Sequence, residues 1–190
     1  MGKGRLEAFT DGVVAIIITI MVLEMKVPQG SDLTSLSESV PVFAAYVLSF
    51  VNVGIFWVNH HHMLHATAHI DGRVLWANLF LLFWLSLIPF VIRWIDEAGF
   101  APLPTAAYGV VLATAAVGYT LLQAAIVARN GRTSALALAI GSDLKGKISL
   151  TIYATSVLLA FFNPWISIAL YILVAAIWLV PDRRIESTVK

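Results

Sequence analysis

The chain contains no cysteine, which excludes disulfides, thiol nucleophiles and iron–sulfur clusters. It is also poor in charge: 12% of its 190 residues are Asp, Glu, Lys or Arg, against 59% hydrophobic. It has no Gly-rich phosphate loop, no nucleophile elbow and no nucleophile–base pair at one depth, so an enzyme is not expected. Tyr108-Gly109 is a lone dipeptide after Thr-Ala-Ala and does not make a carbonyl-lined ion filter. Basic residues at three-residue spacing within an apolar stretch are missing too, which removes a voltage sensor. No internal repeat relates the two halves, which weakens an inverted-repeat transporter. The formal net charge of +1 averages two oppositely biased faces, and no nucleic-acid partner is expected.

What the chain has in quantity is apolar length. A mean hydropathy of +0.87 is far too high for a soluble domain of this size. A bilayer crossing needs about 20 apolar residues, and six stretches qualify or nearly do: 7–27, 40–66, 74–95, 105–128, 148–162 and 165–180. The fifth is short. Asn163-Pro164 leaves room for only a tight turn, which predicts an antiparallel hairpin of the last two. The expected fold is an all-α membrane protein of six transmembrane helices in a single domain over 1–190, with no soluble appendage.

Six crossings put both termini on one side. Lys3, Arg5, Arg73, Arg129, Arg132, Lys145, Lys147, Arg183, Arg184 and Lys190 fall on that side, and only Lys26 and Arg93 on the other. Ten against two predicts cytoplasmic termini in a multi-pass protein of the cell membrane. The first stretch ends in Glu-Met-Lys-Val-Pro28 without a small-residue cleavage site, so it reads as a retained span. The connection 29–38 reads as a polar linker with Ser37 or Ser39 as a cap for the second helix. Within 130–147, Ser134 to Ile140 reads as an interfacial stretch.

On a helix at roughly 100° per residue, Arg5, Phe9, Gly12, Ile16, Thr19, Leu23 and Val27 share one narrow stripe, with Ile20 at its margin. Glu7, Thr10 and Asp11 point elsewhere and need protein partners. A packed bundle helix, with Thr19 bonding back to a carbonyl one turn earlier, accounts for this pattern too.

Arg5-Leu-Glu-Ala-Phe9-Thr10-Asp11 resembles the Arg-x-x-x-Phe-Ser-Asp signature of the transmembrane protein 175 family, the endolysosomal potassium channels and their shorter prokaryotic homologues. Thr10 replaces Ser and keeps the hydroxyl. Trp57-x-x-His60-His61, then Asn78-Leu79 and Pro89, look like the family's second and third helices. The resemblance implies a homotetramer in the bilayer with four first helices around a central pore. It implies a potassium channel with potassium as the permeant species and no cofactor. It also implies a constriction at Ile16, Ile20 and Leu23, with Thr19 adding a polar ring. By the same carry-over Arg5, Phe9, Thr10 and Asp11 anchor the first helix, with Trp57, His60, His61, His62 and Trp76 as candidate partners.

All five histidines lie between His60 and His69. His61, His65 and His69 share one face if the helix continues that far, a spacing compatible with zinc or copper. The expectation is no metal site, with the imidazoles packing at a helix end. A small metal or proton-coupled transporter using this cluster stays as the alternative, and a purely structural membrane protein as a third.

Overall fold

The computed structural model describes residues 2–28, 30–131, 133–141 and 143–179. Gln29, Arg132, Arg183, Arg184, Lys190 and the last position of the sixth predicted stretch lie outside the described residues. The described elements are α1 (Lys3–Leu23), α2 (Leu33–Glu38), α3 (Val40–His65), α4 (Gly72–Ser86), α5 (Ile88–Glu97), α6 (Pro102–Asn130), α7 (Ala135–Ile140), α8 (Leu144–Leu159) and α9 (Pro164–Leu179). Helices overlie all six apolar stretches. Four of them are long and apolar enough to cross a membrane: α1, α3, the α4–α5 run and α6. This is a multi-pass helical membrane protein.

The helix ends follow local chemistry. α1 stops at Leu23, four residues before the predicted end, where the Glu24 N–H closes on the Ile20 carbonyl and the Met25 N–H turns to that of Val22. The third stretch is two helices. Pro89 has no N–H to give the Leu85 carbonyl, so α4 ends at Ser86 and α5 restarts at Ile88. α6 holds Pro102 and Pro104 in its first turn, where a missing N–H costs nothing, and stops at Gly131, whose φ of +94° suits glycine.

Two expectations need correction. The 29–38 connection contains α2, capped by Asp32, which accepts from the Ser35 N–H and hydroxyl. Those bonds hold the Asp32 carboxyl below its ordinary range. Ser39 makes no side-chain cap to α3, and the Ser37 hydroxyl donates instead to the Thr34 carbonyl. The 134–140 stretch forms α7, with Leu136 and Ala139 buried and Leu138 on its exposed side.

α6 is the axis of the subunit and packs against α4, α5, α8 and α9. At 1.5 Å per residue its 29 residues run about 43 Å, more than the hydrocarbon thickness. Gly118 lets α4 approach closely, since a Cβ there would come within 3.0 Å of the Leu81 Cα. Around this axis lies a buried polar row: the Tyr108 hydroxyl meets the Ser49 Oγ at 2.8 Å, and the Tyr171 hydroxyl donates to the Thr105 carbonyl at 3.0 Å. α8 and α9 form a hairpin in which Asn163 Oδ1 accepts from the Trp165 N–H. α1 packs against α3, α4 and α5, at the edge of the bundle.

Candidate pore-lining helix and its anchors

The side of α1 that meets the bundle is set by spacing. Leu6, Thr10, Val14, Ile17 and Met21 recur at intervals of four, four, three and four, and all are buried. The opposite side is bare. Phe9, Gly12, Ile16, Thr19, Ile20 and Leu23 are exposed, with Ile16 58% and Leu23 79% accessible. Ile20 sits at the edge of the bare face, lining with Ile16 an open groove against Pro89, Phe90 and Trp94 of α5. Along this face the Thr19 side chain brings a hydroxyl. Its proton goes back into the helix, to the carbonyls of Ala15 at 3.1 Å or Ile16 at 3.0 Å, leaving the oxygen lone pairs turned outward.

Both ends of α1 are tied down. Near its start, Asn78 of α4 reaches two helices at once. Its Nδ2 donates to Thr10 Oγ1 at 3.0 Å, and its Oδ1 accepts from His60 Nε2 of α3 at 2.7 Å. All three residues are buried. This order of donors sets the Nε2–H tautomer on His60. Beside it, Trp57 Nε1 donates to Asp11 Oδ1 at 2.8 Å. Lys3 Nζ donates to the His65 carbonyl at 3.1 Å, placing a cation at the C-terminus of α3. At the far end, Arg93 of α5 donates to Glu24 at 2.7 Å and to Glu97 at 3.1 Å, and Lys26 lies 3.5 Å from Asp96. These exposed pairs orient the helix end more than they stabilise it, since such pairs are worth about 0–1 kcal/mol.

Of the candidate partners, Trp57 and His60 meet the anchor motif. Trp76 is 75% exposed and takes no part. Among the described residues His61 and His62 hold only ring contacts: His61 lies 6.2 Å from Trp57, 6.1 Å from His65 and 5.7 Å from His62, centroid to centroid. Arg5 and Phe9 stand on the bare face, and Arg5 has no ion pair among the described residues. α3 ends at His65, so His69 leaves the helical face. Its backbone is clamped by the Asn130 side chain, which accepts from the His69 N–H and donates to its carbonyl, both at 2.9 Å. Among the described residues no three His, Cys, Asp or Glu side chains gather as a metal site would require. Asn78 went unrecognised as the hub of the anchor. Its signal was an amide inside the apolar run from Val74 to Leu85, where an unsatisfied polar group is costly.

The fold and site define a helical membrane protein whose first helix is held at both ends and left bare along one face. A family model described as endosomal/lysosomal potassium channel TMEM175 matches residues 5–89, which hold α1 to α4 and every anchor of the buried network. A potassium channel of Chryseobacterium sp. (strain P1-3) is 52% identical over 190 residues, covering 100% of this chain and 99% of that one. The human endosomal/lysosomal proton channel TMEM175 is 39% identical over 96 residues, 44% of this chain and 19% of the human one. The crystal structure of a lysosomal potassium-selective channel TMEM175 homolog from Chamaesiphon minutus superposes with a TM-score of 0.79. It has 28% identity and covers 95% of this chain and 97% of the other. The chain belongs to the TMEM175 family, which is one of ion channels and not of enzymes.

Proposed function

We propose that this protein is a potassium-selective channel of the cell membrane, with four copies placing α1 around a central pore. One domain over 1–190 then crosses the bilayer six times, with α8 and α9 as the last two crossings and both termini in the cytoplasm. Ile16, Ile20 and Leu23 form the constriction, and Thr19 contributes a ring of oxygens. The observation that carries this reading is the bare apolar face of α1, clamped at both ends, in a chain 52% identical along its whole length to a protein named as a potassium channel.

The mechanism follows from what alkyl groups lack. They offer no lone pairs, so an ion passes the isoleucine ring with most of its water, through a constriction that wets when open and dewets when closed. Sodium holds its water more tightly than potassium, so distorting its shell costs more. Selection of this kind is weaker than that of a carbonyl cage. The outward lone pairs of Thr19 replace part of the displaced hydration and strengthen it. Thr10 and Asp11 anchor α1 within the subunit, while Arg5 and Phe9, on its bare face, anchor it against a neighbouring copy; none of the four touches the ion.

Purified protein in liposomes carrying an outward potassium gradient is expected to polarise the membrane, read by a voltage-sensitive dye. An equal sodium gradient gives a smaller signal. No dye response in potassium, from protein of normal size-exclusion profile, would reject the channel.

A further inference from the structure

Away from α1, the bundle encloses a second feature that ion conduction does not use. Between α3 and α8, bridged by α6 and α9, lies a partly open chamber with about 50 Å³ of room for the centre of a water-sized molecule. Its walls are mostly apolar, with Phe56, Tyr119 and Trp178 among them. Three further residues lining it are more than nine-tenths buried and carry unused hydrogen-bonding capacity: Asn52, Asn59 and Tyr153. The amide nitrogens are committed, Asn52 Nδ2 to the Leu48 carbonyl and Asn59 Nδ2 to the Ile55 carbonyl. Among the described residues neither amide oxygen has a hydrogen-bond partner, and both are left to the chamber. Nor does the Tyr153 hydroxyl have one among them, although the neighbouring Tyr108 and Tyr171 hydroxyls are both bonded and Tyr153 is only 3% exposed.

Polar atoms left without partners inside a membrane protein are costly. Water would satisfy them and leave the aromatic walls poorly filled. A saturated acyl chain would fill the walls and leave three polar atoms unmet. We infer that the chamber is a binding site for a small uncharged amphiphile with one aromatic ring and one hydroxyl, a phenol in chemical class. The ligand hydroxyl donates to an Asn52 or Asn59 amide oxygen and accepts from the Tyr153 O–H, while its ring packs against Phe56 and Trp178. Trp178 is held in place as a wall, because its Nε1 donates to Ser149 Oγ at 2.8 Å and Lys145 Nζ lies 4.6 Å from its ring centroid.

The test uses the full chain in detergent, with bromophenol as the probe and tryptophan quenching as the readout. Saturable quenching is expected, and it should disappear in Trp178→Phe. Bromobenzene, which lacks the hydroxyl and so both of its hydrogen bonds, should bind about a hundredfold more weakly, at about tenfold for each bond lost. Tyr153→Phe removes only an oxygen and one of the two bonds and leaves the packing intact, so it should weaken bromophenol about tenfold and leave bromobenzene unchanged. Ala175→Leu narrows the chamber and should abolish both. Equal affinity for the two probes, equal affinity in Tyr153→Phe, or only the linear quenching of micelle partitioning would each overturn the assignment. None of these readings depends on ion flux.

Discussion

Ile16→Asn is expected to raise ion flux and bring the potassium-over-sodium permeability ratio close to one. Ile16 is on the bare face of α1 and more than half exposed, so the change disturbs no packed core. An amide wets the constriction and offers ligands to either ion, which removes the hydration cost that separates them. The margin to be lost is small. A tenfold preference is only about 1.4 kcal/mol, comparable with one good hydrogen bond, and four amides exceed it. Reversal potential under bi-ionic conditions measures the ratio. A ratio unchanged from the native protein would take Ile16 out of the constriction.

Asn78→Leu is expected to have the largest effect on stability while leaving selectivity alone. Interhelical hydrogen bonds within membranes average only about 0.6 kcal/mol when both partners can find substitutes. Here Thr10 and His60 are buried on α1 and α3, and Asn78 is the side chain that bonds both. Each stranded group costs about 1–3 kcal/mol, so a loss of about 2–4 kcal/mol per chain is expected. Asp11→Ala removes only the exposed partner of Trp57 Nε1 and should cost less. Thermal stability followed by size exclusion reports both. A normal elution profile in Asn78→Leu, together with an altered reversal potential, would reverse the roles of anchor and pore.

The bare face of α1 was legible in the sequence because a helix fixes the angle between residues whatever surrounds it. Ile16, Thr19 and Leu23 share a stripe by arithmetic alone, and the bundle buries the residues that the arithmetic puts opposite. What could not be read is where helices end and which of two similar side chains arrives. The three histidines at spacing four would share a face only on a continuing helix, and α3 stops at the middle one of them. Trp57 and Trp76 are equally aromatic and similarly placed along their helices. Only the rotation of α3 and α4 about their own axes, fixed by Asn78 and the core around it, brings the first to Asp11 and leaves the second outside. Asn78 itself was visible as an amide among apolar neighbours, but its two partners are 18 and 68 residues away and no local pattern names them.

The central claim is that one face of α1 meets the ion path and the other does not. Because the chain has no cysteine, single thiols introduced along α1 report this directly through block by silver ions, which travel with the permeant cations. Potassium flux should be blocked with cysteine at Ile16, Thr19 or Leu23, and high potassium should slow that block. It should persist with cysteine at Ile17 or Met21, which are buried against the bundle. Equal block on both faces, or none at Ile16, Thr19 and Leu23, would contradict a pore lined by this helix.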